Sequence, residues 1–176
     1  MKLFSKAHIE HQKKVHEDCP SYGETSLIFA PMVSELIESN EVQDLLDYGA
    51  GKGKLASQLQ LSRLINIQIY DPAFDSHAAK PKPAEMVVCL DVLDNVETDK
   101  VDAVLDDLSA LTKRIGFFSI NTTTGDETAD AQQSESKTIR PVEWWLPKIM
   151  ERFELHYFSR INLGFVVVVK NKTPQQ

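Results

Sequence analysis

The sequence predicts one α/β domain with a mostly parallel central sheet and a C-terminal antiparallel hairpin. Three observations carry that reading. The stretch Leu45-Leu46-Asp47-Tyr48-Gly49-Ala50-Gly51-Lys52-Gly53-Lys54-Leu55 has the pattern of a short apolar strand, a tight turn with glycine at every second position, and the start of a helix. Two later apolar runs end in Asp71 and Asp91 and read as buried strands with an acid at the carboxyl end. Two final strand-like runs, Phe153 to Ser159 and Leu163 to Lys170, lie either side of a tight connection at Asn162 and Gly164, the spacing of a hairpin.

A chain of 176 residues suits a single domain with a substantial core, here 1–176 with a helical cap over 1–40 and the core over 42–170. No internal repeat is visible. No apolar run reaches the length of a membrane span, and Met1 to Lys6 becomes charged instead of apolar, so neither a membrane segment nor a secretory signal is predicted. Cys19 and Cys89 are the only cysteines; they make no disulfide framework and fit a reducing, cytoplasmic setting. The net charge of −7 argues against a broad surface tracking nucleic-acid phosphates, although Lys2, Lys6, Lys13 and Lys14 form a local basic cluster.

Taken in order, residues 1 to 20 are polar and weakly periodic. His8, His11, His16 and Cys19 raise a zinc site as one reading, but no second cluster with ligand spacing follows, and a solvated helix face or arm is preferred. No metal site is therefore predicted. Pro20 to Gly23 reads as a turn, and Tyr22 within it is either a lid residue or an ordinary turn aromatic. A helix is expected from Thr25 to Ser39, capped by Thr25 or Ser26, with Ile28, Met32, Leu36 and Ile37 on one face and Pro31 kinking or dividing it. The first strand runs from about Gln43 to Tyr48. After the glycine turn a helix is expected to about Leu61, with Leu55 and Leu59 against the sheet. Leu64 to Tyr70 is the second strand. Lys80-Pro81-Lys82-Pro83 is an extended spacer, and Glu85 to Asp91 the next strand.

Thr98 to Thr112 carries Val101, Val104, Leu105, Leu108 and Leu111 at helical spacing, with Lys113 and Arg114 placed to complement its C-terminal end. Ile115 to Asn121 is the following strand. Residues 125 to 138 form a polar loop, and Pro147 is expected to open a helix ending near Arg152.

The glycine turn is the chemical centre of the sequence. Glycine lets the backbone bend sharply and approach a ligand closely, and a helix starting there directs its positive end to the same place. A phosphate-binding P-loop aligned on Gly53-Lys54 would place its first glycine at Tyr48 and its hydroxyl at Leu55, so it fails twice. The dinucleotide fingerprint needs glycine where Lys54 stands. What remains is Asp-x-Gly-x-Gly-x-Gly at Asp47, Gly49, Gly51 and Gly53. This resembles the first motif of the class I S-adenosylmethionine-dependent methyltransferases, in a strand–turn–helix context. Val88-Cys89-Leu90-Asp91-Val92-Leu93-Asp94-Asn95-Val96 resembles the fourth motif of small members of that superfamily, with Asp94 and Asn95 standing where Glu and His are common. Pro141-Val142-Glu143-Trp144-Trp145-Leu146-Pro147 resembles a stretch of a bacterial and phage branch, with Glu135-Ser136-Lys137 in place of that branch's Asn-Ala-His.

The resemblance implies a Rossmann-like methyltransferase fold. The gap between Asp71 and Glu85 is too short for the full fold's third strand with its helix, so that strand is expected to be trimmed. It implies S-adenosylmethionine as cofactor, with Gly49, Ala50, Gly51 and Gly53 holding the methionyl end and Asp47 favouring its ammonium. Asp71, about 20 residues beyond the turn, is placed to accept from ribose hydroxyls, or else is a plain Asp-Pro turn. Cys89 and Leu90 either line the adenine wall or simply pack the strand. Asp91 is the catalytic candidate near the methyl-transfer centre. Asn121 and Trp144 are candidates for acceptor binding, with turn formation and core packing as their plain alternatives.

The implied activity is methyl transfer to an unidentified acceptor, best read as a small molecule. A non-catalytic S-adenosylmethionine-binding module is the alternative, and an NAD-type oxidoreductase a third.

Overall fold

The computed structural model describes residues 3–19, 24–123 and 138–172, with the backbone alone at 24–26. Its elements are α1 (Lys6–Asp18), a 3-10 turn (Glu24–Phe29), α2 (Ala30–Ser39), β1 (Asp44–Tyr48), α3 (Leu55–Gln58), β2 (Asn66–Tyr70), β3 (Ala84–Leu90), a second 3-10 turn (Leu93–Asn95), α4 (Val101–Leu111), β4 (Thr112–Asn121), α5 (Val142–Arg152), β5 (Phe153–Ile161) and β6 (Gly164–Asn171). Tyr22, the Pro20–Gly23 turn, the capping side chains of Thr25 and Ser26, Glu135-Ser136-Lys137 and most of the 125–138 loop lie outside the described residues.

Six strands form one sheet in the order β2-β1-β3-β4-β6-β5. β1 pairs in parallel with β2 and β3, and β3 with β4. β6 inserts antiparallel between β4 and β5, so the last two strands form the expected hairpin. Because successive side chains of a strand face opposite ways, the sheet feeds two cores. Leu46, Val87, Cys89, Phe118 and Val167 pack with α4 and α5. Leu45, Met86, Val88, Phe117 and Val166 pack with α2. All of these sheet residues are buried, which explains why the central strands read as continuous apolar runs.

The third strand is missing, as expected. Instead the chain from Lys80 to Pro83 is tied to β2 through one side chain. There the Gln68 side chain accepts from the Lys82 N–H at 3.0 Å and donates to the Lys82 carbonyl at 3.2 Å. One side-chain amide thus makes the pair of bonds that a neighbouring strand would make with its backbone.

Several helices depart from expectation. Pro31 divides the first helical stretch. It sits in the first turn of α2, where its missing N–H costs nothing, and the residues before it form the 3-10 turn. The buried face is therefore Ala30, Val33, Ser34 and Ile37, while Ile28 is 72% exposed. The helix after the glycine turn is one turn long and ends at Gln58, short of the expected end near Leu61. Lys54 gives no side-chain cap, the Ser57 hydroxyl bonds the Lys54 carbonyl at 2.7 Å, and Leu59 is extended. Leu55 and Leu59 still pack on the α2 side of the sheet.

Pro147 does not open α5. The helix starts at Val142 with Pro141 as its cap, and Pro147 lies inside. Ion pairs from Lys148 and Arg152 to Asp102, and from Arg152 to Asp106, hold α5 against α4. Arg114 belongs to β4 and reaches Glu85 and the Asn40 carbonyl, not the end of α4.

Phe118 is fully buried and meets the Phe153 ring edge-on at 5.4 Å between centroids. Phe118→Ala is expected to lower unfolding free energy by about 3–5 kcal/mol, measured by urea denaturation. A loss below about 1 kcal/mol would show that this face of the sheet is not close-packed.

Candidate functional site

The parallel strands bring their carboxyl ends to one edge of the sheet. In spatial order that edge carries Asp71 after β2, Asp47 near the end of β1, Asp91 after β3 and Asn121 at the end of β4. The strand order reverses between β1 and β3, and such a switch point opens a crevice at the carboxyl edge. A cavity of about 360 Å³ occupies it, with α1 contributing to its walls. That volume lies in the range of small-molecule sites.

The glycine turn gives the cavity its shape. Gly49 and Gly51 have φ of 77° and 53°, a left-handed backbone that disfavours side chains. A Cβ at Gly51 would come within 3.0 Å of the His16 ring. The turn's own donors are engaged inside the chain. Gly49 and Ala50 donate to the Tyr70 carbonyl at 2.8 and 3.1 Å, and Gly53 to the Ala50 carbonyl at 2.8 Å. Gly51 donates to Asp71 Oδ2 at 2.8 Å. These N–H groups hold the turn itself, and the one-turn α3 adds little dipole, so the site is less anion-seeking than the sequence suggested.

Asp71 is buried. Its other oxygen, Oδ1, accepts from the Ala73 N–H at 2.8 Å, so one carboxylate bridges the glycine turn and the turn after β2. Asp47 is 5% exposed on the same wall. Burial, and secondarily the Asp71 charge, pushes its carboxyl up to about 7. His77 Nδ1 lies 3.0 Å from the Gly51 carbonyl and closes the turn from outside.

Across the switch point, Asp91 has φ of 55°, unusual for a residue with a side chain. Ser119 holds it there. The Asp91 N–H points to the Ser119 carbonyl and hydroxyl at 3.2 and 2.9 Å, and the Ser119 hydroxyl donates to Asp91 Oδ1 at 2.7 Å. Asp94 is 3% exposed and accepts from the Asn121 amide at 3.1 Å through Oδ2. Its Oδ1 is buried and, among the described residues, has no hydrogen-bond partner. Burial pushes this carboxyl up to about 6; the Asn121 hydrogen bond opposes the shift and the Asp91 charge adds to it.

Of the sequence candidates, Asp47, Gly49, Ala50, Gly51, Asp71, Leu90, Asp91 and Asn121 line this one cavity. Gly53, Cys89 and Trp144 stand outside it. Gly53 completes the turn at φ of 70°. Cys89 is fully buried on the α4 side of the sheet, where burial pushes its thiol up. Trp144 packs on α5 against Trp145 and beneath the Lys148 ammonium.

No protein-family model and no curated protein matches the sequence. Solved structures do. An O-methyltransferase family protein from Burkholderia thailandensis aligns with a TM-score of 0.63 at 11% identity, over 99% of this chain and 65% of that one. The 1,6-didemethyltoxoflavin-N1-methyltransferase of Burkholderia thailandensis, solved with 1,6-didemethyltoxoflavin and S-adenosylhomocysteine, aligns with a TM-score of 0.68 at 14% identity, over 95% and 89%. Magnesium protoporphyrin IX methyltransferase from Synechocystis PCC 6803, solved with bound SAH, gives 0.55 at 12% identity, over 95% of each chain. The chain has the class I methyltransferase fold.

Within this methyltransferase fold, the cavity also draws on residues that the sequence motifs did not single out for the site. His8, Gln12 and His16 come from α1, and Asp94 and Asn95 from the turn after β3. His8 stacks on Phe4 and His16 meets Phe74 edge-on; burial lowers the pKa of both imidazoles. Among the described residues, no group of three or more His, Cys, Asp or Glu is placed to hold a metal ion, and no helix is long and apolar enough to cross a membrane.

Removing the Asp71 carboxylate leaves two buried N–H groups without partners. Asp71→Ala is expected to cost about 2–4 kcal/mol in urea denaturation, and a neutral result would refute the bridging role. Asp47 gives a pH signature. The folded chain holds a proton there that the unfolded chain releases above about pH 4. This contribution to stability is complete below that pH and is lost as pH rises through about 7. Asp47→Asn is therefore expected to gain melting temperature relative to wild type between pH 6 and 8; a constant difference would contradict it.

Proposed function

We propose that this chain is an S-adenosylmethionine-dependent methyltransferase, of the EC 2.1.1 class, acting on a small-molecule acceptor. One observation carries the reading. Two buried carboxylates, Asp47 and Asp71, flank a left-handed glycine turn on the wall of one cavity, in a class I methyltransferase fold.

The residues fit the cofactor's chemistry. Asp47 sits desolvated at the cavity wall, where an ammonium restores the electrostatic partner that burial removes. Each Asp71 oxygen accepts one backbone N–H and keeps a second lone pair for a ribose hydroxyl. The bare backbone at Gly49 and Gly51 lets Val92 and the His16 ring pack against the turn, and the methionyl end is held by the turn's carbonyls and neighbouring side chains more than by its engaged N–H groups. Leu90 offers an apolar surface beside Asp91. When bound, S-adenosylmethionine supplies a methyl group already activated by its sulfonium. The protein's task is to align an acceptor with that methyl and exclude competitors, which is a proximity effect.

A small acceptor suits a walled cavity of this size better than a broad polymer-binding face, and the net charge of −7 points the same way. Asp91 is fastened to Ser119, which favours a positioning role over proton transfer.

Calorimetric titration with S-adenosylhomocysteine is expected to show one site per chain, with no response to NAD. Gly51→Val strains the backbone and drives a side chain into His16, so it is expected to abolish binding while circular dichroism shows a retained fold. Retained affinity in Gly51→Val, or binding of NAD alone, would overturn the assignment.

A further inference from the structure

Four aspartates line the cavity, and the chain supplies side-chain donors or backbone N–H groups to three of them. Asp71 accepts from Gly51 and Ala73, Asp91 from Ser119, and Asp94 from Asn121. Asp47 is the exception. Among the described residues no hydrogen bond reaches its carboxylate, although the residue is only 5% exposed. That small exposure opens on the cavity, and neither oxygen is sealed off as Asp94 Oδ1 is.

Asp47 cannot swing out to water. It belongs to β1, whose backbone pairs there with Ile69 of β2 on one side and Val88 of β3 on the other. Two coupled buried carboxylates, with donors for only one, do not both keep a charge, so a proton settles on the one without donors. Burial, and secondarily the Asp71 charge, accordingly push Asp47 up to about 7. The other titratable groups facing this space do not relieve it. Cys89 of β3 is buried, with its thiol pushed up. His8 and His16 of α1 are held toward the neutral imidazole by burial. Lys52 and Lys54 of the glycine turn are exposed, and burial outweighs them at Asp47. Asp91 and Asp94, from the segment after β3, are acids themselves, and of the helices beyond α1 only Leu55 of α3 reaches the lining.

We propose that Asp47 makes this a proton-exchange site: the empty chain holds a proton on the Asp47 carboxylate, and a ligand bearing an ammonium displaces it. The proton passes to the buffer, the ammonium takes its place beside the carboxylate, and no covalent bond of the ligand changes. The identity of the ligand rests on the methyltransferase reading; the exchange goes further by tying occupancy to pH and by setting a rule of selection. An adenine nucleoside with an ammonium gains a carboxylate partner, and loses affinity as pH falls below neutrality and the proton competes. One without an ammonium meets a protonated, neutral Asp47 and binds independently of pH. Selectivity for the amino-bearing ligand therefore grows from pH 6 to pH 8.

The test titrates the full chain with S-adenosylhomocysteine and with 5′-methylthioadenosine, which keeps the nucleoside and the thioether but has no amino-acid end. Calorimetry at pH 6, 7 and 8, each in two buffers of different ionisation enthalpy, counts the protons released. With S-adenosylhomocysteine, release is expected to approach about one proton per site at pH 6 and to fall toward zero at pH 8, with affinity about tenfold higher at pH 8 than at pH 6. With 5′-methylthioadenosine neither the release nor the change of affinity is expected. Asp47→Asn keeps the size of the side chain but cannot ionise. That variant is expected to bind S-adenosylhomocysteine more weakly at pH 8 and to release no proton at any pH. Binding of S-adenosylhomocysteine without release at pH 6, equal release with 5′-methylthioadenosine, or release that persists in Asp47→Asn each overturns the proposal. Where either comparison binds too weakly to titrate, the wild-type proton count with S-adenosylhomocysteine at pH 6 decides. No binding of S-adenosylhomocysteine to wild type at any of these pH values would instead defeat the cofactor reading, and the two failures are separable.

Discussion

The Asp71 carboxylate is the constraint from which the site's geometry follows. It joins the N–H of Gly51, in the turn after β1, to the N–H of Ala73, in the turn after β2. Without it, two adjacent strands would end in independent loops. With it, the turns share one buried anion, and the glycine backbone is held in left-handed geometry that would otherwise relax. The Tyr70 carbonyl adds a second link by accepting from both Gly49 and Ala50. A residue read as a ribose contact or a plain Asp-Pro turn is thus a structural bridge that also lines the cavity.

The acidic character of the cavity follows from the same architecture. Parallel strands with polar carboxyl ends set Asp71, Asp47, Asp91 and Asn121 side by side, and burial makes the charges costly. The chain handles each differently. Asp71 receives two backbone donors, Asp91 a serine hydroxyl, and Asp94 the Asn121 amide with the Asn95 amide more distant, while Asp47 is pushed up to about 7 by its surroundings. Those differences turn a row of similar residues into positions with separate chemistry.

Much of this was legible in the sequence because it depends on local patterns. The glycine spacing, the acid at each strand end and the hairpin around Asn162 and Gly164 are short-range signals, and the sheet assembled from them as read. The trimmed third strand was legible from the short gap between Asp71 and Glu85. What failed was governed by packing or by competition within a single turn. Pro147 reads as a helix start, yet α5 begins at Val142 because Trp145 and Ile149 bury against α4 and outweigh one missing hydrogen bond. The short α3 reflects the Ser57 side chain competing with the backbone. The α1 contribution to the cavity was not legible, since its weak periodicity hides which residues meet partners distant in sequence. Asp94 was visible only as a departure from a common motif; its unsatisfied oxygen is a three-dimensional fact.

The bond pair between Gln68 and Lys82 has a consequence for how these molecules meet one another. Losing a strand leaves β2 outermost, and a bare outer strand invites a foreign chain to extend the sheet. Here the Gln68 amide clasps the Lys82 backbone, and the prolines on either side of Lys82 offer no N–H to a foreign strand. The Lys80–Pro83 segment is thus fastened to the very strand that shortening left outermost.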